Sequence, residues 1–388
     1  MSHPRSRPAA LALAAALALA ATAAAQEPTL RIAVHNDLDA ARPGETVEVP
    51  VAIFATALGD KLLGRVRVLE EPSTRELLVQ AIDLDNDLAV EQLVFQADFA
   101  PRQTKTFRLT VGERRAYRKE DFKVYGRFVR ERFDDFAWEN DRVSFRLYGE
   151  ALETWQREPL TSSAVDAWSK KTSRLVLNEW YMVDDYHHDH GEGGDFYPAG
   201  KTRGCGGSGL WQNGALVVSK NFRGSRVQAA GPIRLVFELT YAPWQAGGRE
   251  VSEVKRIALD AGQNLDRFES FYKQSGGTGL VHAIGIKKAE GSSMFQDRKE
   301  GWIRTWEPIR KGQAGYLGCG VITDPSSIVD TAEADNNYLV LARADRRLVA
   351  TWHAGFGWDR SGDFADEAAW TAYLRQAARR LRSPLRLQ

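Results

Sequence analysis

The feature that most restricts the fold of this chain is a long series of short segments in which apolar and polar residues alternate. Examples are residues 30–34, 46–51, 142–148 and 233–241. Successive side chains of a β-strand point to opposite faces, so this pattern is typical of strands with one buried face. Gly, Pro, Asn or Asp bounds each segment, as at turns. The sequence therefore predicts a mostly-β protein.

Two β domains and one terminal helix are predicted. The charged stretch at residues 113–123 is the expected boundary. We assign residues 26–115 to an N-terminal β-sandwich and residues 116–388 to a large antiparallel sandwich of two broad sheets. Near the C-terminus, apolar residues recur at four-residue spacing, which predicts a helix over residues 366–381.

The N-terminus has the layout of a secretory signal peptide. Arg5 and Arg7 form a short basic segment, and residues 9–21 consist almost wholly of Ala and Leu. Three alanines at residues 23–25 supply the small-residue cleavage pattern, and the apolar run is too short to span a membrane. We expect cleavage near Ala25, a periplasmic or secreted protein, and no membrane span.

Charge and composition exclude some partners. With 52 basic and 51 acidic residues, the formal net charge is +1, so no field strong enough to recruit nucleic acid or anionic lipid is expected. The many aromatic residues serve either β cores or sugar stacking, and composition does not separate these uses. Cys205 and Cys319 form one disulfide or remain two thiols. The oligomeric state is left open.

Residues 134–141 are the first of four stretches that are too polar and aromatic for ordinary strands or turns. Four carboxylates and one amide surround Phe136 and Trp138. Such a stretch is either a solvated turn or part of a sugar site, in which an aromatic ring stacks on the sugar. The substrate-binding candidates here are Trp138, Glu139, Asn140 and Asp141.

Residues 184–197 carry the strongest signal, because three histidines lie within four positions. In an extended segment, His188, His190 and Glu192 would point to the same side. Two imidazoles and a carboxylate bind a divalent metal, Zn²⁺ or Mn²⁺ rather than Ca²⁺, which prefers oxygen ligands. The same set could instead form a metal-free base held by a carboxylate, and an exposed polar loop is the third interpretation.

The third and fourth stretches are residues 201–209 and 352–364. In the third, Arg203 stands in a Gly-rich loop that could hold a carboxylate, although a structural turn with a salt bridge is nearly as well supported. In the fourth, His353, Trp358 and Asp359 are substrate-binding candidates. The sequence has no nucleophile elbow, zinc-protease helix or dinucleotide fingerprint, so those chemistries are not expected.

Four short motifs resemble those of a bacterial family of domains of unknown function. They lie at residues 136–141, 190–193, 204–207 and 260–264. Members of that family are usually exported and occur among polysaccharide-degradation genes. The strand pattern is also similar to the galactose-mutarotase-like supersandwich, a fold that serves several polysaccharide lyases. The resemblance implies a β-supersandwich catalytic domain over residues 116–388 and a glycan substrate.

From the residue chemistry we expect a polysaccharide or oligosaccharide lyase that cleaves uronic-acid-containing glycans by β-elimination. Elimination needs a cation or donors on the uronate carboxylate, a base for the C5 proton and an acid for the leaving oxygen, but no cofactor. Trp138 and Trp358 would stack on the sugar. The residues expected in the three roles are, in that order, Arg203 with Asn140, His190 or His188, and Tyr197.

Two other functions stay open. A glycoside hydrolase would use a carboxylate pair, such as Glu139 or Asp141 with Glu192 or Asp195. A non-catalytic carbohydrate-binding module would bind glycan without turnover. For either enzyme the polar stretches must meet, so a common cleft in the large domain is predicted. Its expected lining is Trp138, His190, Arg203 and His353.

Overall fold

A computed structural model describes residues 28–62, 64–277, 279–310 and 314–388. The predicted signal peptide and its cleavage near Ala25 lie outside these residues. Within them, antiparallel sheets dominate and three α-helices occur, so the mostly-β prediction is confirmed. None of the helices in these ranges combines the length and the apolar character needed to cross a bilayer.

The N-terminal part is a sandwich of two small sheets with one short helix. Its elements are β1 (Thr29–His35), β2 (Arg42–Pro50), α1 (Val51–Leu58), β3 (Val66–Glu71), β4 (Arg75–Leu77), β5 (Val79–Ile82), β6 (Gln92–Phe99) and β7 (Thr104–Val111). One sheet has the order β1-β7-β3-β4 and the other β2-β6-β5. Inward-facing residues such as Val47, Phe95 and Phe107 fill a separate core, against which Leu385 and Leu387 near the C-terminus also pack.

The large domain begins after a short 3-10 turn. The remaining elements belong to it, except the last short strand, which pairs with β1. The first of them are β8 (Val124–Val129), β9 (Asp135–Asn140), β10 (Ser144–Tyr148), β11 (Asp166–Lys170), α2 (Leu177–Val183), β12 (Gly193–Gly194), β13 (Cys205–Gln212), β14 (Ala215–Val217), β15 (Phe222–Ala230), β16 (Arg234–Tyr241) and β17 (Trp244–Ala246). The rest are β18 (Arg249–Asp260), β19 (Leu265–Gln274), β20 (Val281–Lys287), β21 (Ser293–Asp297), β22 (Trp302–Pro308), β23 (Tyr316–Ile322), β24 (Ile328–Ala334), β25 (Asn337–Arg343), β26 (Val349–Trp358), α3 (Glu367–Arg382) and β27 (Arg386–Leu387).

These strands form two layers. One layer is a nine-stranded sheet, β15-β16-β18-β19-β26-β23-β22-β21 with β17 paired to β18. The other contains two five-stranded sheets, β12-β11-β10-β9-β8 and β14-β13-β20-β25-β24, bridged where Val165 meets Gly204. Phe145 and Ile284 from the second layer share one buried core with Phe268 from the first. The predicted large antiparallel sandwich is therefore confirmed.

Helix α3 covers part of the outer face of the nine-stranded sheet. The side chain of Asp366 caps its first turn by accepting the N–H of Ala369, and Trp370 is fully buried beneath the helix. Gly318 and Gly357 leave room for that indole, because a Cβ at either position would lie within 2.7 Å of it. The predicted C-terminal helix is confirmed, and its packing depends on glycines in the sheet below.

The N-terminal sandwich packs against one end of the nine-stranded sheet. The side chain of Gln80 accepts the N–H of Arg234 at 2.8 Å and donates to its carbonyl at 2.9 Å. The guanidinium of Arg234 also contacts Glu48 from the sandwich at 2.6 Å and Asp260 from β18 at 2.5 Å. Strand β27, which follows α3, pairs with β1 and therefore also holds the sandwich in place. The division at residue 115 itself stays a prediction.

Candidate functional site

The outer face of the sheet β12-β11-β10-β9-β8 is polar, although it is buried. Its inner face carries core side chains such as Phe136 and Phe145, and the intervening residues point outward. Strand register places Arg146 of β10 opposite Asp166 of β11, and Tyr148 opposite Asp135 of β9. Helix α2 and the loop at residues 184–197 cover this face. We call the polar group beneath them the Arg146 cluster; its members are Arg132, Asp135, Arg146, Tyr148, Asp166, Tyr181, Tyr186 and Asp195.

One guanidinium at the centre of the cluster faces three carboxyl groups. Arg146 Nε lies 2.8 Å from Asp166 Oδ2, and Nη2 lies 2.9 Å from Asp195 Oδ2. Arg146 Nη1 lies 3.6 Å from Asp135 Oδ2. All four side chains are buried. The three acids therefore share a single central cation beneath α2 and the 184–197 loop.

Tyrosine hydroxyls connect the carboxyl groups to the covering elements. The hydroxyl of Tyr148 donates to Asp166, and that of Tyr181 in α2 donates to Asp135, each at 3.0 Å. Arg132 Nε donates to the Tyr186 hydroxyl at 2.6 Å, and Arg132 also pairs with Glu158 at the surface. The cluster thus fixes the position of α2 and of the 184–197 loop.

Burial disturbs the ionisation of two of these acids. It raises the pKa of Asp135 to about 6, against the opposing effect of Arg146. Burial and the neighbouring Asp166 raise the pKa of Asp195 well above its usual range. Among the described residues, four atoms of the cluster also have no hydrogen-bond partner: Asp135 Oδ1, Asp166 Oδ1, Arg132 Nη1 and Arg146 Nη1. Burial therefore favours the protonated form of both acids, and the cluster retains unused bonding capacity.

Two features lead from the cluster to the surface. The side chain of His187 is 57% exposed, and its Nδ1 lies 3.2 Å from the carbonyl oxygen and 3.6 Å from Oδ2 of Asp195. Phe133, which is half exposed, stacks on Trp155 with ring centroids 5.7 Å apart, and the Arg132 guanidinium lies over the same indole. A histidine and a flat aromatic surface thus border the buried acids.

The predicted metal ligands are not gathered at one point. His188 Nδ1 and His190 Nε2 both lie against the carboxylate of Asp185, at 2.5 and 2.9 Å. Glu192 instead pairs with Arg174 at 2.8 Å. The prediction assumed an extended segment, but the loop bends around Asp185 and only Gly193–Gly194 form a strand. The prediction that these three side chains point to the same side is therefore wrong, while metal binding itself stays a prediction.

Trp138 and Glu139, which the sequence predicted to bind substrate, are both buried and hold other parts of the fold. Trp138 lies on the core side of β9, where its Nε1 donates to Asp266 at 3.0 Å, so it cannot stack on a sugar. Glu139 lies on the outer face but is fully buried. Its carboxylate pairs with Lys170 at 2.6 Å and accepts the backbone N–H of Leu177 at the start of α2.

Asn140 and Asp141 join β9 to the turn that follows β18. Asn140 Nδ2 donates to the carbonyls of Asp260 and Gln263, each at 2.7 Å, and Asn140 is buried. Asp141 accepts the N–H of Gly262 at 2.7 Å. The motifs at residues 136–141 and 260–264 are therefore in contact, and they support the fold at this point. The predicted substrate role of Asn140 does not agree with its buried position.

Tyr197 and Trp358 are also buried in the core. The Tyr197 hydroxyl lies beside the Cys319 thiol, and Lys287 Nζ lies 3.9 Å from its ring centroid. Trp358 Nε1 donates to the carbonyl of Ala314 at 2.7 Å. Cys205 and Cys319 are buried free thiols. Neither Tyr197 as an acid nor Trp358 as a sugar platform agrees with these positions.

The predicted common cleft is not formed. Trp352 and Ala354 face the core, so His353 between them lies on the outer face of the nine-stranded sheet, where burial lowers its pKa to about 3. His190 is exposed on the loop that covers the opposite layer. Arg203 is buried beside Ser163, and Asp359 is partly exposed at the end of β26. His190 and His353 therefore belong to opposite sides of the sandwich.

The structure nevertheless brings two of the predicted stretches together. Asp135 comes from residues 134–141, and Tyr186, His187 and Asp195 come from residues 184–197. Asp195 was a candidate carboxylate of the hydrolase alternative. Arg146, Tyr148 and Asp166 were missed, because they lie in regular strands without unusual composition. Their only signal in the sequence is a charged residue in each strand, Arg146 in β10 and Asp166 in β11, on a face that alternation alone would assign to solvent.

Comparison with known proteins decides the family. Residues 34–387, nearly the whole chain, match the family described as a domain of unknown function, DUF4861. The chain belongs to the DUF4861 family. The predicted membership of a family of unknown function is thus confirmed, whereas the link to galactose-mutarotase-like proteins stays a prediction.

This DUF4861 protein is also similar in sequence to one other protein and in structure to two others. The uncharacterized protein P7 of Formosa agariphila is 32% identical over 368 residues, which cover 91% of this chain and 92% of P7. An α-mannosidase of Enterococcus faecalis V583 is 9% identical, with a TM-score of 0.48 and 93% of this chain covered. A glycosyl hydrolase family 38 protein of E. faecalis has the same identity and TM-score, with 92% covered. This chain spans just under half of each of those two chains, and likeness at this level carries no conclusion about activity.

The pKa of Asp135 leads to a test on the DUF4861 protein. A carboxyl whose pKa is raised on folding stabilises the folded state at low pH, and this contribution is lost as pH rises from about 4 through 6. The Asp135→Asn variant cannot ionise. We therefore expect its stability relative to the wild type to rise by up to about 3 kcal/mol between pH 4 and pH 7, measured by urea unfolding.

The exposed Glu120→Gln variant is the matched control, because Glu120 lies in the 3-10 turn before the large domain and away from the cluster. Its stability should follow the wild type across the same pH range. Parallel curves for Asp135→Asn and the wild type would contradict a raised pKa at Asp135.

Proposed function

We propose that this protein is a carbohydrate-active enzyme whose acid–base centre is the Arg146 cluster. The observation that supports this is a buried group of three carboxyls around one guanidinium. Three polar atoms of this group, and Nη1 of the neighbouring Arg132, lack partners within the described chain. Buried ion pairs that serve only stability normally satisfy their own atoms, because each unsatisfied atom is costly. Titratable groups with disturbed pKa values in such surroundings are typical of catalytic sites.

Three parts of the site would have separate roles. A carboxyl whose pKa is raised by burial, as that of Asp195 is, can donate a proton to a departing oxygen. His187 has one ring nitrogen directed at Asp195, which leaves the other free to accept a proton from substrate. The exposed ring of Phe133, supported by Trp155, offers a flat apolar surface for a sugar ring.

For the reaction we propose β-elimination on a uronic-acid-containing polysaccharide or oligosaccharide. His187 would remove the C5 proton, the C4–O bond would break as a C4–C5 double bond forms, and the departing oxygen would take the proton of Asp195. The uronate carboxylate also needs a cation. The guanidiniums of Arg146 and Arg132 are already occupied by carboxylates, so that cation must lie outside the cluster.

Glycoside hydrolysis is the second candidate, and the raised pKa values of Asp135 and Asp195 favour it. A hydrolase uses one carboxylic acid to protonate the leaving oxygen and a second carboxylate as base or nucleophile. Both candidates place the proton donor in the same cluster. They differ in the product, since only elimination creates an unsaturated uronate that absorbs ultraviolet light.

The deciding experiment is digestion of a panel of uronate-containing and neutral glycans, followed by both ultraviolet absorbance and reducing ends. We expect absorbing products from a uronate-containing glycan and their loss in the His187→Ala variant. The control is His35→Ala, a histidine of the N-terminal sandwich, which should retain the full rate. Reducing ends without absorbance would replace the lyase by the hydrolase, and no product from any glycan would reject enzymatic function.

A further inference from the structure

Arg203 differs from every other buried cation in the described part of the chain. Six arginines and three lysines are buried there. Eight of these nine cations pair with carboxylates, and Arg203 has none within ion-pair distance. The pairs are Arg42 with Glu45, Arg132 with Glu158, Arg146 with Asp166 and Asp195, Arg234 with Asp260, Arg304 with Glu367, Lys170 with Glu139, Lys255 with Glu253, and Lys287 with Glu307.

The guanidinium of Arg203 contacts only neutral acceptors. Nη1 donates to Ser163 Oγ at 2.7 Å and to the carbonyl of Ser208 at 3.5 Å. Nη2 donates once, to the carbonyl of Lys201 at 3.3 Å, and Nε has no acceptor among the described residues. A carboxylate binds a guanidinium with two parallel hydrogen bonds, from Nε and Nη2. In Arg203 the buried Nε and the second hydrogen of Nη2 have no acceptor among the described residues. Burial lowers the pKa of Arg203 to about 10, so it remains charged at neutral pH.

Arg203 lies in the wall of a surface cleft of about 410 Å³, a size that suits a small ligand. Lys201, Thr202, Asp335 and Asn336 line the same cleft. The stem of Arg203 packs against Gly285, where a Cβ would come within 2.6 Å of it, so the side chain is held from below. The wall thus offers two cations and one carboxylate, and Asp335 is not within ion-pair distance of Arg203.

The cleft is close to the Arg146 cluster along the sheet. The backbone carbonyl of Arg203 accepts the N–H of Val165 at 3.3 Å, and the next residue, Asp166, belongs to the cluster. Both features lie in the layer made by the two five-stranded sheets.

We propose that Arg203 and Lys201 bind the carboxylate of an acidic sugar in this cleft. The carboxylate supplies the counter-charge that Arg203, alone among the buried cations of the described residues, does not receive from a carboxylate of the protein. Arg203 and Lys201 would be cations of the kind that elimination needs and that the Arg146 cluster does not offer. The identification of the sugar as part of a substrate rests on the proposed function, whereas the carboxylate site rests on Arg203 and its cleft.

Binding of monosaccharides to the full chain tests the proposal without turnover. The probes are glucuronate and galacturonate, with glucose and galactose as neutral controls, measured by titration calorimetry and by the shift in melting temperature. We expect the two uronates to bind and to raise the melting temperature, and the neutral sugars to do neither. Added salt should weaken the binding, because charge attraction contributes to it.

Three variants make the test specific. Arg203→Met and Lys201→Met should each weaken uronate binding, by about tenfold or more for Arg203, whose two hydrogen bonds to a carboxylate are charge-assisted. Asp335→Asn should tighten it by removing a like charge. Arg203→Met is expected to melt no lower than the wild type, since no carboxylate loses its partner. If Arg203→Met fails to fold, the opposite effects of Lys201→Met and Asp335→Asn still decide.

Equal binding of uronates and neutral sugars, or unchanged uronate binding in Lys201→Met, would overturn the proposal. Equal binding of inorganic sulfate would reduce it to a general anion site and reject the acidic sugar. The His187→Ala variant separates this proposal from the enzymatic one. If that variant loses turnover but binds uronate normally, both proposals stand. If the wild type releases ultraviolet-absorbing products from a uronate-containing glycan but binds neither free uronate, the carboxylate site alone fails.

Discussion

Replacing Arg146 by Met is expected to destabilise the protein by about 3–5 kcal/mol at neutral pH, the usual effect of removing one partner of a buried ion pair. The variant leaves Asp135, Asp166 and Asp195 buried without their central cation. They can respond only by taking up protons, so the loss should be smaller at pH 4 than at pH 7. Urea unfolding at both values measures the difference.

Two further variants control this result. Arg31→Met removes a largely exposed arginine that pairs with Glu71, and exposed pairs contribute little, so almost no change is expected. Adding Asp195→Asn to Arg146→Met should restore part of the lost stability, because one uncompensated carboxyl is removed. A loss as small for Arg146→Met as for Arg31→Met would show that the cluster is not a charge-balanced unit.

The second large effect is expected on activity. The Asp195→Asn variant should turn over its glycan about 10²–10⁴ times more slowly, the usual contribution of a positioned acid or base, because an amide cannot give up a proton in the same way. Its melting temperature should stay near that of the wild type. The amide oxygen can still accept from Arg146, and the variant no longer buries an ionisable carboxyl at this position.

Initial rates and melting curves of the same preparation measure both quantities. Asp330→Asn is the matched control, because Asp330 is exposed on β24 and pairs only loosely with Arg298 at 3.4 Å. It should keep the full rate. An unchanged rate in Asp195→Asn would remove Asp195 from the mechanism, and a large drop in its melting temperature would make the cluster structural rather than catalytic.

Much of the fold could be read from residue patterns. Alternation along β10 predicted a strand, and apolar spacing predicted α3, because both depend on residues close together in the chain. Membership of a family of unknown function also followed from short motifs. Some of these motifs proved to contact each other for structural reasons, as Asn140 does with the turn after β18.

The candidate site could be predicted only in part. The stretches at residues 134–141 and 184–197 were recognised as unusual, and both contribute to the Arg146 cluster. Trp138 was misjudged, because alternation shows that Trp138 and Glu139 face opposite ways but not which face meets the core. The histidine loop was misjudged because its local conformation follows from Asp185, which accepts contacts from both His188 and His190.

The sequence by itself thus determined the mostly-β class, the C-terminal helix and the family. The tertiary structure alone decided that Arg146 meets Asp195, and that Arg203 is left without a carboxylate. The physical reason is the separation along the chain of the residues involved. A strand or helix depends on neighbours a few residues away. Arg146 and Asp195 lie 49 positions apart and meet only after α2 and the following loop fold over the sheet. A polar strand face looks solvent-exposed in the sequence until that cover is in place.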